Sequence, residues 1–445
     1  MGDLLNEPLP THQPTGTVRP SACPGLLRIV PALDGGICRI KLPGGVLDAS
    51  QAEAVAQGAE RFAHGVIEAT NRSNLQIRGI GARQAELIEW LLAAGLGPTH
   101  PAGDDVRNLM LSPTAGIDPD MLFDTRPLAA QILSSLQSQP RFHELSAKFA
   151  VQLDGGEALA MLTHHHDLWL SPTRLEGQTW LAFGLAGSPA DEAALGAVPL
   201  ARGLDLVMEV LDLFLQAASP EQTRMRHLLA ELGSKAFTQR LGQPTRPVAF
   251  RRHSAGSSHL GAYPQRQSGL AWVGAAPALG RLDPAMLRGA ANLAREFGDG
   301  SLRLTPWQSL LLPGIAEARA GLVARQLAQL GMLVEADAPL ARMIACTGSA
   351  GCAKGLADTK GDAARLAMLL KRPGAPLSVH LTGCGRSCAV AHVAPATLLA
   401  ADAGHYDLYF RDPRQPGFGA LQARNLSLDA AAAWLDGCSR SDTDD

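Results

Sequence analysis

The sequence predicts an α+β protein in which one unit occurs twice, and three observations lead to this prediction. A segment of about 75 residues recurs 235 positions further along the chain. The hydrophobic periodicity of each copy predicts the order strand, helix, strand, strand, helix. A longer segment follows each copy, so the predicted order is A–B–A′–B′, where A is the repeated segment and B the longer one.

The repeat is clearest where residues 65–80 align with residues 300–315, because Gly, Thr, Leu, Gly and Ile coincide there. Further positions agree upstream at the same offset: Leu47 with Leu282, Asp48 with Asp283 and Phe62 with Phe297. Because the matching stretch is short, a chance similarity is the alternative to a true duplication. Two true copies can pack about a pseudo-twofold axis. A solenoid is excluded, because the repeat is too long and occurs too few times.

The elements of the first copy follow from its local pattern. Residues 37–42 have the character of a strand. Asp48 is a good N-cap for a helix whose apolar residues recur every three or four positions as far as Phe62. Two short strands and a second helix are expected next, near residues 66–69, 75–78 and 83–94.

The repeat also predicts the domain boundaries. The two A copies are expected at residues 23–97 and 259–335, and the B segments at residues 104–242 and 339–438. Residues 243–258 contain prolines and a Gly/Ser run, which is typical of a linker between the halves. Residues 1–22, rich in Pro and Thr, are expected to be disordered.

Composition limits the class of function. Of the 445 residues, 46% are apolar, which is enough for a sizeable core. A net charge of −3 gives no electrostatic footprint for nucleic acid or for an anionic membrane. No apolar run reaches the roughly 18 residues of a membrane span, and the first residues lack a signal peptide. We therefore expect a cytoplasmic location, where cysteines stay reduced.

Four cysteines near the C-terminal end form the most informative motif. Cys346 and Cys352 have the spacing C-x5-C, and Cys384 and Cys388 have the spacing C-x3-C. Two thiolate pairs of this kind can hold one [4Fe–4S] cluster. Structural zinc prefers C-x2–4-C pairs, and an odd total of seven cysteines argues against disulfides. The remaining alternative is that these four cysteines are buried structural thiols. Cys23 and Cys38 are also expected to be plain buried thiols.

The motifs together resemble those of the sulfite and nitrite reductase superfamily. Its members have duplicated ferredoxin-like half-domains, each followed by an α/β domain, and the cluster motif C-x5-C…C-x3-C. Segments outside the cluster motif also match: residues 70–79, Arg107-Asn108 with residues 112–116, residues 145–149 and residues 259–269. The resemblance extends from about Cys23 to Phe410, and it implies a duplicated sulfite/nitrite reductase-like architecture.

Within the superfamily, residues 21–28 and 37–45 resemble the branch of the precorrin-3B synthases, the monooxygenases of corrin ring synthesis. This resemblance implies hydroxylation of precorrin-3A at C20 with O2, formation of a γ-lactone, and NADH as the ultimate electron donor. It also implies a [4Fe–4S] cluster and a mononuclear non-haem iron. Two departures from the reductases favour this branch: Ala150 stands where a second basic residue is usual, and residues 385–387 read Gly-Arg-Ser.

A polycarboxylate tetrapyrrole needs basic partners, because arginine pairs with carboxylates bidentately. Alternation along a strand places four polar side chains on one face: Arg72, Asn74, Gln76 and Arg78. With Arg107 and Lys148 they form the predicted substrate-binding set, in which Arg72, Arg107 and Lys148 are the predicted catalytic residues. A solvated arginine and, for Asn74, a turn residue are the alternatives.

The histidine run at residues 164–166 predicts ligands for a mononuclear iron. His164 and His166 would share one face of a strand, whereas Asp167 would lie on the other, so the usual carboxylate must come from elsewhere. Other candidate ligands are His253, His259, His380 and His392. A polar loop or a pocket-lining role is the alternative for this run.

The expected electron route is indirect. No G-x-G-x-x-G motif follows a strand, since residues 79–84 lack the third glycine. We therefore expect NADH to act through a separate reductase. Two other functions stay open: a sirohaem-dependent sulfite or nitrite reductase, and a non-catalytic module with structural zinc at the four cysteines.

Overall fold

The structure is a computed structural model that describes residues 23–252, 258–370 and 377–438. The predicted disordered segment, residues 1–22, lies outside the described residues. So do residues 253–257 of the predicted linker, including the candidate iron ligand His253. No helix in the described ranges is long and apolar enough to cross a membrane.

The first half-domain opens the described chain. Its elements are β1 (Val30–Ala32), β2 (Gly35–Ile40), β3 (Val46–Asp48), α1 (Ala49–Phe62), β4 (Val66–Ala69), β5 (Leu75–Ile80) and α2 (Gln84–Ala93). Helix α1 begins where the sequence predicts it, because the Asp48 side chain accepts from the backbone amides of Ser50 and Gln51. The Gln51 side chain accepts from the Asp48 amide in return, which completes a capping box.

The first α/β domain follows. Its elements are β6 (Leu109–Leu111), α3 (Arg126–Ser138), β7 (Val151–Leu153), β8 (His166–Leu175), β9 (Gln178–Gly187), β10 (Gly196–Pro199), α4 (Gly203–Ala217), α5 (Met225–Leu232) and α6 (Ser234–Thr238). The sheet order is β10-β9-β8-β7-β6, in which β6, β7 and β8 are parallel and β9 and β10 are antiparallel to their neighbours.

The second half repeats this plan. Its half-domain contains β11 (Gly261–Pro264), β12 (Leu270–Ala275), β13 (Arg281–Leu282), α7 (Pro284–Phe297), β14 (Ser301–Leu304), β15 (Leu310–Ala316) and α8 (Glu317–Gln329). The second α/β domain contains β16 (Met343–Ala345), α9 (Thr359–Leu369), β17 (Val379–Thr382), β18 (Ala396–Asp402), β19 (His405–Phe410), β20 (Ala420–Ser427) and α10 (Leu428–Cys438). Its sheet has the same strand directions as the first one, because β16, β17 and β18 are parallel and β19 and β20 are antiparallel to their neighbours.

The two half-domains exchange one short strand each. Strand β13 completes the sheet β1-β2-β5-β4-β13, and β3 completes the sheet β11-β12-β15-β14-β3. Leu47 pairs with Leu302 and Leu282 with Ile67, so each exchanged leucine enters the other half. A single hydrophobic cluster therefore spans both halves, and the predicted fold class is confirmed.

The chain between the halves runs beside the first α/β domain. Arg246 forms an isolated bridge with Ala197 at the edge strand β10. The Arg252 guanidinium contacts the Asp154 carboxylate and donates to the Glu157 carbonyl oxygen at 2.5 Å. The linker is thus anchored to the domain before it, while the domain limits drawn from the sequence stay predictions.

Candidate functional site

A cleft of about 620 Å³ lies between the first half-domain and the second α/β domain. One wall carries cysteines from two loops of the second α/β domain. The opposite wall carries polar side chains of β2, β4 and β5. The cleft thus joins the two motifs that the sequence singled out, although they are far apart along the chain.

The cysteine wall is built by two neighbouring parallel strands. Ala345 at the end of β16 pairs with Leu381 near the end of β17. Because parallel strands end at the same edge of a sheet, the loops that follow them begin side by side. Cys346 and Cys352 lie on the first loop, and Cys384 and Cys388 lie on the second; all four are free thiols that line the cleft.

The local contacts of the cysteine wall are those of a thiolate site. The Gly383 amide donates to the Cys346 sulfur at 3.3 Å, and the Thr359 hydroxyl lies 3.5 Å from the same atom. Partial desolvation in the cleft, together with the negative charge of the other three cysteines, raises the pKa of the Cys388 thiol, although this residue is exposed to solvent. This mutual repulsion is removed when the thiolates bind cationic iron.

Glycines allow the first loop to fold tightly. Gly348 has a positive φ of 66°, and a Cβ atom there would lie 2.5 Å from the Ala357 carbonyl oxygen. A Cβ atom on Gly355 would lie 2.6 Å from the carbonyl carbon of Gly348. These close backbone contacts explain why glycine occupies positions 348 and 355 of the loop that begins at Cys346.

The donor set fits an iron–sulfur cluster. Four thiols line one cleft, and the Gly383 amide donates to one of their sulfurs, as backbone amides do to the sulfurs of such clusters. Within the described residues, no group of three or more His, Cys, Asp or Glu side chains is spaced to hold a single metal ion. A zinc ion needs its thiolates within one tetrahedral shell, whereas a cubane spreads them over separate irons. The C-x5-C spacing of Cys346 and Cys352 along the sequence therefore favours the cluster over structural zinc.

The basic wall follows the alternation predicted for β5. Gln76 and Arg78 both line the cleft, and Arg39 on β2 lies directly opposite Gln76. In the amide orientation that satisfies both side chains, the Gln76 oxygen accepts from Arg39 Nη2 at 2.6 Å. Arg78 forms a bidentate ion pair with Asp34 at 2.9 Å and also donates to the Gly351 carbonyl oxygen. Arg78 thus connects the half-domain to the cysteine loop.

Arg72 lies apart from this wall, in a small cavity of about 10 Å³ shared with Arg107, Asn74 and Ala150. Burial and the nearby charge of Arg224 lower the pKa of Arg72 to about 10, so its guanidinium stays charged at neutral pH. The structure therefore separates Arg72 from Gln76 and Arg78, although the three alternate along one segment.

The remaining predicted binding residues are engaged elsewhere. Arg107 donates to the Leu96 and Gly97 carbonyl oxygens and pairs with Asp104 at 3.2 Å, so its guanidinium is turned into the protein. The Asn74 side chain accepts from the Leu42 amide, and its backbone forms two hydrogen bonds with Thr70 across a turn, which is the role that the sequence left open. The Lys148 side chain is exposed and forms no salt bridge within the described ranges.

The predicted iron ligands His164 and His166 are buried, but the described residues give them no third ligand. The Asp167 carboxylate is bound by Arg224 and by two backbone amides. His166 Nδ1 lies 2.8 Å from the His164 carbonyl oxygen, and the His164 ring contacts His392. Because no carboxylate or other third ligand joins His164 and His166 within the described residues, the histidine run does not fit a two-histidine, one-carboxylate iron site there.

Sequence reasoning missed several residues that line the cleft: Arg39, Glu68, Gln308, Lys354, Lys360 and Arg386. Arg39 could have been found, since it alternates with Ile37 on a predicted strand as Gln76 alternates with Arg78. No local pattern identifies Lys360, which reaches the cleft from the start of α9.

The repeat shows that only one half carries a basic face. Arg72, Gln76 and Arg78 correspond at the 235-residue offset to Trp307, Leu311 and Pro313. Trp307 stacks on His259 with ring centroids 5.3 Å apart, and Leu311 is fully buried. The second half therefore uses the equivalent strand for packing, and the pseudo-twofold axis does not generate a second polar wall.

Known proteins share these features. The family model described as the nitrite and sulphite reductase 4Fe-4S domain matches residues 102–246. The model described as the nitrite/sulfite reductase ferredoxin-like half domain matches residues 31–94 and 263–330. The chain also resembles the solved structure of the Mycobacterium tuberculosis NirA protein with a TM-score of 0.74. That likeness, at 21% identity over 91% of this chain and 80% of the other, is one of fold.

Curated relatives include two kinds of enzyme. The chain is 31% identical to the chloroplastic ferredoxin–nitrite reductase of Zea mays, covering 80% of this chain and 68% of that protein. It is also 31% identical to the ferredoxin–nitrite reductase of Synechococcus elongatus, covering 82% and 76%. A precorrin-3B synthase of Sinorhizobium sp is 27% identical, covering 91% and 87%. The fold, the matched domains and these relatives show that the chain belongs to the nitrite and sulfite reductase family of oxidoreductases.

Proposed function

We propose that the protein is a precorrin-3B synthase, a monooxygenase of aerobic cobalamin synthesis. It would convert precorrin-3A into precorrin-3B by hydroxylation at C20 and γ-lactone formation, with O2 and electrons that originate from NADH. The observation that carries this proposal is the cleft in which four thiols face an arginine-bearing wall. Such a cleft suits a redox centre beside a polycarboxylate ring.

The size and charge of the cleft support a tetrapyrrole ligand. Its volume of about 620 Å³ falls within the usual range for small-molecule sites. Arg39 presents a guanidinium group, which can pair with a carboxylate and keeps its charge when buried, whereas Arg78 is already paired with Asp34. Exposed Lys354 on the cysteine loop adds a cation on the opposite wall. Ring carboxylates would therefore find partners on both walls.

Cys346, Cys352, Cys384 and Cys388 would hold the [4Fe–4S] cluster, which supplies single electrons when bound. The residues of the basic wall bind and orient the ring, since Arg39 and Gln76 hold each other in place across β2 and β5. Arg72 lies in a separate cavity of about 10 Å³ and does not line the cleft, so the proposed binding of the ring does not depend on it. A separate reductase would bring electrons from NADH to the cluster.

The surroundings of Ala150 favour the synthase over a reductase of small anions. Ala150 is buried in the cavity of Arg72, and its amide donates to the Asp167 carboxylate at 2.9 Å. The Ala150 methyl group brings no charge of its own to this cavity, whose lining includes the cations of Arg72 and Arg107. A small oxyanion would lose a charge partner and a proton donor there. The alignment with the precorrin-3B synthase also covers more of both chains than those with the nitrite reductases.

A second candidate is a sirohaem-dependent nitrite or sulfite reductase that takes electrons from ferredoxin. The higher identity to the ferredoxin–nitrite reductases, 31% against 27%, favours it. The same cleft, cysteines and arginines would serve this reaction. The two functions differ in the ring they use, because sirohaem is a bound cofactor and precorrin-3A a substrate.

The decisive experiment incubates anaerobically prepared protein with precorrin-3A, a chemical reductant and limited O2, and measures the mass of the tetrapyrrole. A product that gains one oxygen atom supports the synthase. A Cys352→Ser variant should lose both this product and the visible absorption of the cluster. Bound sirohaem in the purified protein, together with nitrite or sulfite reduction and no ring oxidation, would favour the second candidate instead.

A further inference from the structure

A buried network of charges lies beside the cysteine wall and centres on Glu68 of β4. The Glu68 carboxylate lies 3.0 Å from Arg281 Nη2, 3.6 Å from Lys360 Nζ and 3.9 Å from Arg78 Nη1. The Thr347 hydroxyl donates to it at 3.4 Å. One carboxylate thus contacts both half-domains, the loop that begins at Cys346 and the first turn of α9.

The network carries a surplus of positive charge. Arg78, Arg281 and Lys360 supply three cations, and Glu68 and Asp34 supply two carboxylates. The Glu68 and Lys360 side chains are only 9% and 11% exposed, so water screens them weakly. Burial alone raises the pKa of Glu68, but the charges of Lys360, Arg78 and Arg281 outweigh burial and lower it overall.

The two charges are linked to Cys346 through the neighbouring residues Thr359 and Thr347. Thr359, the neighbour of Lys360, donates its hydroxyl to the Cys346 carbonyl oxygen at 2.8 Å and lies 3.5 Å from the Cys346 sulfur. Thr347, which donates to Glu68, is the next residue after Cys346. Lys360 Nζ is fixed by the Leu279 carbonyl oxygen at 2.5 Å as well as by Glu68. Both charges therefore have defined positions at the cysteine wall.

We propose that Lys360 and Glu68 are positioning residues that set, with opposite signs, the reduction potential of a cluster bound at Cys346. This inference rests on the proposed [4Fe–4S] cluster. A cluster that accepts one electron gains one negative charge, which a fixed cation stabilises and a fixed anion destabilises. Lys360 thus raises the potential, and Glu68 lowers it.

The test compares reconstituted protein with Lys360→Met, Lys360→Arg and Glu68→Gln variants in redox titrations with dithionite, followed by electron paramagnetic resonance. Lys360→Met should disfavour the reduced cluster by about tenfold, a shift of about 59 mV to more negative potential. Glu68→Gln should shift the potential in the opposite direction. Lys360→Arg keeps the charge and should stay near the parent protein.

Arg365→Met is the matched control. Arg365 lies on the same helix, α9, but its side chain is 62% exposed and pairs with Asp429 at the surface. Removing this charge should leave the potential unchanged because water screens it.

The outcomes separate this inference from the proposed function. Intact clusters whose potential is unchanged, or moves in one direction for both Lys360→Met and Glu68→Gln, overturn the inference and leave the proposed function standing. Parent protein without acid-labile sulfide after reconstitution overturns the cluster itself, and the inference with it. Opposite shifts with iron and sulfide contents equal to those of the parent protein establish the electrostatic role.

Discussion

Gly348 and Ala357 approach so closely that a Cβ atom on the glycine would lie 2.5 Å from the alanine carbonyl oxygen. Gly348 also has a φ of 66°, which side-chain-bearing residues adopt at a cost. The contact brings the segment after Cys352 back against the segment between Cys346 and Cys352, so the geometry of the cysteine wall depends on this glycine.

We expect Gly348→Val to destabilise the protein by about 1–3 kcal/mol and to lower the iron content after reconstitution, because a β-branched residue combines strain with overpacking. Urea unfolding and iron analysis measure the two effects. Gly385→Ala is the matched control, since Gly385 adjoins Cys384, has no positive φ, and leaves a Cβ atom there with no neighbour within 4 Å. Equal loss in both variants would contradict this account of the loop.

Arg107 is expected to contribute to stability rather than to ligand binding. Arg107 and Asp104 have side chains only 6% and 7% exposed, and the guanidinium of Arg107 also donates to two backbone carbonyl oxygens. Arg107→Ala leaves a buried carboxylate without its partner, which costs about 3–5 kcal/mol in such pairs. Urea unfolding measures this loss.

The exposed pair of Arg126 with Asp124 provides the comparison, and Arg126→Ala should cost less than about 1 kcal/mol. If Arg107→Ala instead left stability unchanged and abolished ligand binding, the catalytic role predicted from the sequence would be supported.

The basic wall gives a prediction about affinity. Arg39→Met should weaken the binding of an octacarboxylate porphyrin by roughly 10- to 100-fold, since a hydrogen bond to a charged group contributes about 1.5–3 kcal/mol. Fluorescence quenching of the porphyrin measures the dissociation constant. Arg174→Met, at the exposed end of β8, should leave it unchanged. Equal affinity for the Arg39 variant would remove the basic wall from the proposed site.

The sequence was sufficient for the parts of the fold and site that local patterns encode. Asp48 and Asp283 mark the starts of α1 and α7, and the alternation of Gln76 and Arg78 placed both on the cleft. The exchange of β3 and β13 was not foreseen, because two- or three-residue strands carry no periodicity of their own.

Contacts between distant segments of the chain could not be predicted from the sequence either. Glu68 meets Thr347 across 279 positions of the chain, and no pattern in either segment indicates that contact. The inward orientation of the Arg107 guanidinium could not be predicted for a different reason. Asp104, three residues earlier, competes for its guanidinium, and the sequence alone does not show which partner an arginine will choose.

The buried carboxyl group of Glu157 should make the free energy of unfolding depend on pH. Its side chain is buried, and burial, together with the negative charges of Asp118 and Asp124, raises its pKa to about 7 despite backbone hydrogen bonds that act in the opposite direction. The folded protein therefore holds this proton more tightly than the unfolded chain, whose glutamate has a pKa near the ordinary value of 4.5. The resulting stability is complete below pH 4.5 and is lost as the pH rises through about 7.

The Glu157→Gln variant has no carboxyl proton to lose. Its side-chain amide oxygen can still accept a hydrogen bond from the Gly155 amide, as Glu157 Oε2 does. Relative to the variant, the parent protein should lose on the order of 3 kcal/mol between pH 4.5 and about pH 8. Urea unfolding of both proteins across this range isolates the effect, because the other titrating groups are common to the two. A constant difference between them across the range would mean that Glu157 is ionised in the fold, and that water or a cation reaches it there.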